Sequence, residues 1–218
     1  MNTPTIDELW PFFGLSISTP RVTLVYPTDE ILVQIIEQSH DIHSPAASPF
    51  TGSWSIDKPE VRIRAGLQWH WQSRATTSPE HWRLLFAVVV DEQVVGVQDV
   101  FADNFTQTKV AKTGSWLGRA FQGQGIGTEA RRAVLHLIFD GLGALIAETD
   151  AFESNAASRR VTEKLGYQPN GETFAIRGDE EVERTIHYRY ERGDWEANLQ
   201  TDDITFTGLE PCLPFLGL

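Results

Sequence analysis

Between Gln122 and Thr128 the chain reads Q-G-Q-G-I-G-T, with three glycines at every second position just ahead of a stretch of helical periodicity. Glycines placed so close to a helix start let backbone N–H groups approach a ligand, and a helix N-terminus favours an anion there. The implied chemistry is the cradling of a phosphate-bearing cofactor by main chain. Three loop types share that physics. A dinucleotide fingerprint needs G-x-G-x-x-G after a buried strand. Gly123, Gly125 and Gly127 give G-x-G-x-G instead, with Thr128 in the place of the third glycine or alanine. Glu148 and Asp150 do lie where a ribose-binding acid would fall, which keeps a dinucleotide-dependent oxidoreductase open as an alternative. A Walker loop requires G-K-[ST], which is absent. The third type, Q-x-x-G-x-G, fits Gln122 to Gly127.

Other reactive side chains are sparse. The single Cys212 has no partner for a disulfide or a zinc site and reads as a buried or half-buried thiol. The six histidines lack the clustering a metal site needs, so no metal is expected.

The elements that must position the loop follow from periodicity. "TGSWLG" is a short strand running directly into it. From Thr128 onward Ala130, Ala133, Val134, Leu137 and Ile138 mark one apolar helix face that ends near Gly141. "ALIAETDAF" reads as a buried strand, so strand, loop, helix and strand form a β-α-β unit. "SNAASRRVTEKLGY" predicts another helix, with Asn155 as its N-cap and Gly166 as its stop. Upstream, "LSISTPRVTLVYPT" predicts one or two short strands, and a helix starts after Thr28 and Asp29. A weakly periodic helical stretch runs from about Lys58 to Gln72. "RLLFAVVVD" and "VVGVQDVFA" form a hairpin turning at Asp91 to Gln93. Two further strands lie around Glu172 to Arg177 and Glu183 to Arg192. The loop "HSPAASPFTGS", from His43 to Ser53, has the length of a binding lid.

With 218 residues, 41% apolar and 22% charged, the chain suits one sizeable domain, and the net charge of −12 excludes a general nucleic-acid binder. Residues 119–164 hold six basic and six acidic side chains, so the whole negative excess lies outside the loop segment. That asymmetry suits a phosphorylated cofactor on one segment and a cationic acceptor drawn to the rest. No apolar run is long enough to span a bilayer and no basic-then-apolar leader opens the chain, so a cytoplasmic protein without membrane contact is expected.

The ordered pair of motifs, "GSWLGRAFQGQGIGTEARRAVLHLIF" and "AFESNAASRRVTEKLGY", resembles the GNAT superfamily of acyl-CoA-dependent N-acyltransferases, in particular its RimJ/RimL-type branch. The resemblance implies an α/β (α+β) fold with a central mixed, mostly antiparallel twisted sheet of about six to seven strands flanked by helices. It implies a single acyltransferase domain over residues 1–195, followed by an apolar extension, 196–218, that packs on the domain or on a dimer partner. Coenzyme A pyrophosphate would lie on Gln122, Gly123, Gln124, Gly125, Ile126, Gly127 and Thr128. Pantetheine would pair with the free edge of Trp116, Leu117 and Gly118, splayed from the neighbouring strand. Asn155 would contact the pantetheine arm and Ser158 the thioester sulfur, while Arg119, Arg131 and Arg132 are candidates for the adenosine phosphate. The implied reaction is direct attack of an amine on an acetyl, or possibly succinyl, thioester. Some actinobacterial members with a similar appendage are linked to succinyl donors. The acceptor would be a small molecule, a protein N-terminus or a lysine, with Asp103, Glu148 or Asp150 as candidate bases. A non-catalytic acyl-CoA sensor on the same fold is the second alternative.

Overall fold

The computed structural model describes residues 3–44, 48–178 and 181–218. Pro45, Ala46 and Ala47, within the expected lid loop, lie outside the described residues, as do Asp179 and Glu180.

In chain order the elements are α1 (Ile6–Leu9), β1 (Ser16–Ser18), β2 (Thr23–Val25), α2 (Asp29–Gln38), α3 (Pro59–Ala75), β3 (His81–Val90), β4 (Gln93–Asp103), α4 (Phe105–Thr108) and β5 (Val110–Leu117). There follow α5 (Ile126–His136), β6 (Ile146–Phe152), α6 (Ala156–Lys164), β7 (Gln168–Arg177), β8 (Glu181–Glu191), α7 (Arg192–Asn198) and β9 (Thr205–Thr207). The strands form one sheet in the order β7-β8-β6-β5-β4-β3-β2-β1-β9. It is antiparallel throughout except for β5 and β6, which run parallel because α5 connects them as a crossover.

The fold class is the expected α/β one, but among the described residues the sheet has nine strands, not six or seven. The opening segment breaks at Pro20 into two three-residue strands, and the C-terminal tail adds β9 antiparallel to β1. Strands this short carry too little alternation to tell one from two in the opening segment, or to mark β9 in the tail.

Both faces of the sheet are covered. On one, Ala130, Ala133, Val134, Leu137 and Ile138 of the α5 segment pack on Leu84, Phe86, Val88 and Val100. On the other, Leu32 and Ile35 of α2 pack on Leu85, Ala87, Val94 and Val97. The β3–β4 hairpin turns through Asp91 and Glu92, both at positive φ, which matches the twist of the flanking strands. The weakly periodic helix is α3, and the reason for its pattern is visible: Trp69 and Trp71 remain about half exposed, and its buried residues are His70 and Ser73. Its inner side meets a cavity rather than the core.

The C-terminal tail packs on its own domain. Leu209, Cys212 and Leu216 join the main core, and Phe215 packs edge-on against Trp10 and Phe12. Burial pushes the Cys212 thiol up to about 12, so it stays protonated and inert.

Candidate active site

The β5–β6 pairing covers three positions, Val110–Ile146, Ala111–Ala147 and Lys112–Glu148. Past them β5 continues to Leu117 with β4 as its partner, and β6 continues to Phe152 with β8 as its partner. Side chains replace the missing ladder in this gap. Arg131 reaches in from α5, donating from Nη2 to Ser115 Oγ at 2.9 Å, from Nη1 to Thr149 Oγ1 at 3.2 Å and from Nε to Gln98 Oε1 at 3.3 Å. Thr149 Oγ1 in turn donates to Thr113 O at 2.9 Å. The strands therefore part, leaving the edge of Thr113 to Leu117 facing the gap.

β5 runs through Gly118 and a tight turn at Arg119–Phe121 into the glycine loop. The loop is braced by its own side chains. Gln122 Nε2 donates to Leu117 O and Ile42 O, both at 2.8 Å, and Gln124 Nε2 donates to Ala120 O at 2.7 Å. Gly125 is the N-cap of α5 at φ +83°, a conformation that costs a side-chain-bearing residue energy. It offers no side-chain cap, and among the described residues the amides of Gly123 to Thr128 find no acceptor. They converge at the helix N-terminus as a small cradle for an anion. Beside it Arg21 donates from Nε to Glu129 Oε2 at 2.7 Å.

On the α2–α3 side of the sheet the gap opens into a cavity of about 780 Å³. Asn155, Ser158, Thr149 and Trp116 line its end nearest the gap. Asn155 caps α6 by accepting from the Ser158 amide at 3.1 Å, so the cap fixes both residues beside the cavity. Across the mouth, residues Ser48 to Trp54 form a strap held to the β7–β8 hairpin: the Gly178 amide donates to Phe50 O at 3.1 Å, and Arg177 Nη1 to Ser48 O at 3.3 Å. Phe50 and Trp54 pack at 4.7 Å between ring centres and, with Trp69 and Trp116, give the cavity aromatic walls.

Its floor carries charge. Asp99 on β4 is buried and pairs with Arg83, whose guanidinium lies 3.6 Å from the centre of the Phe101 ring. Burial raises the Asp99 pKa against the opposing pull of Arg83, the Gly114 amide and Arg131. A Cβ at Gly114 would stand 2.7 Å from Asp99 Oδ1, so only glycine admits this carboxylate. His70 on α3 is buried and held neutral, its pKa pushed down to about 4 by burial and by Arg74.

These placements bear on several expectations. Arg131 is buried in the gap, on the wrong side of the loop for an exposed adenosine phosphate. Arg119 is paired with Asp41, and Arg132 with Asp203. Asp103 sits at the end of β4, with His81 Nδ1 at 2.6 Å, outside the cavity lining. Glu148 also stays outside the lining, and of the three candidate bases Asp150 reaches the cavity. Sequence reading missed Asp99, Arg83, His70, Arg62 and His187, all lining residues. One signal was present for Asp99: the polar pair Gln98-Asp99 interrupts an otherwise apolar strand.

Among the described residues no group of three or more His, Cys, Asp or Glu could hold a metal ion, and no helix is long and apolar enough to cross a membrane. Similar folds occur in Mycobacterium smegmatis RimJ in complex with CoA-disulfide, at 18% identity and a TM-score of 0.69 over 94% of this chain and 95% of that one. The ribosomal-protein-S5-alanine acetyltransferase from Vibrio fischeri matches at 19% identity and a TM-score of 0.63, over 83% of this chain and 98% of its own. The microcin C7 self immunity acetyltransferase MccE, in complex with acetyl-CoA and AMP, matches at 18% identity and 0.59 over 79% and 93%. The family model described as an acetyltransferase (GNAT) domain matches residues 21–168, two thirds of the sequence and the span that carries both the parted strands and the glycine cradle. The chain belongs to the GNAT family of N-acetyltransferases.

Proposed function

We propose that the chain moves an acetyl group from acetyl-CoA to a primary amine, as a member of the RimJ/RimL-type branch. The observation that carries this reading is the adjacency of the parted β5–β6 edge and the uncapped amides of Gly123 to Thr128. A diphosphate fits the cradle, because the amides converge without side chains above them. An extended amide-bearing arm fits the gap, because the strand edge there lacks a ladder partner on the β6 side. When bound, the acyl-CoA supplies an activated thioester carbonyl.

The chain's own residues do the remaining work. Trp116, Leu117 and Gly118 present the strand edge that orients the arm, and a β5 amide polarises the carbonyl oxygen. Asn155 fixes the start of α6, and Ser158 offers its hydroxyl to the departing sulfur. Phe50, Trp54 and Trp69 exclude water from the cavity.

A succinyl donor is a second reading, favoured by one observation. Among the described residues the buried Arg131 guanidinium contacts three neutral oxygens and no carboxylate, leaving a cation at the inner end of the gap that suits an acyl chain with a terminal carboxylate.

Release of free CoA thiol, followed with acetyl-CoA and succinyl-CoA across a panel of primary amines, tests the proposal. Acylated amine formed in step with thiol supports it, and the faster donor decides between the two readings. Acyl-CoA binding without product from any amine would mark a sensor.

A further inference from the structure

β6 and β8 are paired in register, and Asp150 stands directly opposite His187. Directly opposite partners share a face of the sheet, with Cβ atoms about 5 Å apart. Both residues line the cavity, alongside Asn155 and Ser158 where β6 leaves the gap. Thr173 on β7 completes the group, its Oγ1 lying 2.8 Å from His187 Nε2.

The charges divide in a telling way. The cavity's other carboxylate, Asp99, is already tied to Arg83. Asp150 makes no ion pair or hydrogen bond to the described residues, so it is a counter-charge open to a cationic ligand. His187 uses Nε2 toward Thr173, and Nδ1 has no partner among the described residues. In the tautomer whose Nε2–H donates to Thr173 Oγ1, the Nδ1 lone pair is left to accept a proton.

We propose that Asp150 and His187 form the acceptor-amine subsite: Asp150 draws the substrate in as an ammonium, and His187 Nδ1 takes the proton that frees its lone pair. This rests on the acetyl-transfer reading above. The ammonium gives one proton to His187, which passes it to solvent. The freed lone pair forms the new C–N bond as the thioester C–S bond breaks, and the second proton leaves with the thiol. Thr173 is a positioning residue that holds the imidazole ring by its Nε2 edge.

The test compares two probe acceptors, benzylamine, a strong base that is charged at neutral pH, and aniline, which is already uncharged there. His187→Ala should lower kcat/KM for benzylamine by about 100-fold or more, with a loss below about threefold for aniline. Asp150→Asn should weaken benzylamine binding to the CoA-saturated protein by about tenfold, read by calorimetry without turnover. Thr173→Ser should retain, and Thr173→Val should lose, most of the benzylamine rate. Equal losses for both amines, or unchanged benzylamine affinity in Asp150→Asn, would overturn the proposal. Each variant is first titrated with acetyl-CoA, and unchanged affinity separates this subsite from the donor site. A wild-type protein that fails to bind acetyl-CoA would overturn both readings.

Discussion

The two halves of the candidate site are built from different materials. The proposed donor half, from Gly114 to Thr128, would work through main chain: a strand edge, a set of uncapped amides and glycines that keep them accessible. The proposed acceptor half would work through cavity-lining side chains gathered from α3, β3, β4, β6 and β8, namely Arg62, His70, Arg83, Asp99, Asp150 and His187. A main-chain site has to be written in consecutive residues, whereas a side-chain site needs only that a tertiary fold bring distant residues together.

The strongest way to break this contrast is to put a side chain into the donor loop. Gly125→Val forces a β-branched residue to φ +83°, with its Cβ 3.4 Å from Arg21 Nη2. Acetyl-CoA affinity should fall by roughly 100-fold or more while circular dichroism stays native. Retained affinity would mean that the cradle is not main-chain in character.

On the acceptor half, His70 gives a prediction in stability. Its folded-state pKa is depressed from 6.5 to about 4, so the unfolded chain binds the extra proton first. The associated stability is present above pH 6.5 and is lost as pH falls toward 4, an effect of about 3 kcal/mol. Thermal unfolding of His70→Gln should show a correspondingly flatter acid limb, and identical limbs would contradict the burial of a neutral imidazole.

Ser158 belongs to the junction of the halves. Ser158→Ala should slow turnover by roughly tenfold with little change in acetyl-CoA affinity, and an unchanged rate would remove its hydroxyl from the mechanism. The smallest effect is expected from Arg132, which is engaged with Asp203 on the surface. Arg132→Ala should change acetyl-CoA affinity by less than about twofold. A larger loss would mean that arginine side chains share the donor site with the main chain.

The same contrast explains what could be read in the sequence. The loop, α5 and α6 were legible because capping, period and glycine spacing are local properties, and Asn155 at its cap is an instance. The parallel β5–β6 pair followed from the crossover. His187 was not legible, since nothing near it in sequence signals that β8 lies beside β6 with His187 opposite Asp150. Arg131 misled for a related reason. It lies on a helix next to a phosphate-type loop, yet its position in the turn directs it into the gap between β5 and β6 instead of toward the loop. The strand β9 escaped counting because it is three residues long and lies in a tail read only as apolar, whereas β1 and β2 fall in the segment read as one or two short strands.

The loop and the parted strands together are proposed to hold an acyl-CoA. A calorimetric titration of the purified protein with acetyl-CoA, with NADH alongside, tests this most directly. One-site binding of acetyl-CoA, with no heat from NADH, is the predicted result. Binding of NADH alone, or of neither, would contradict it.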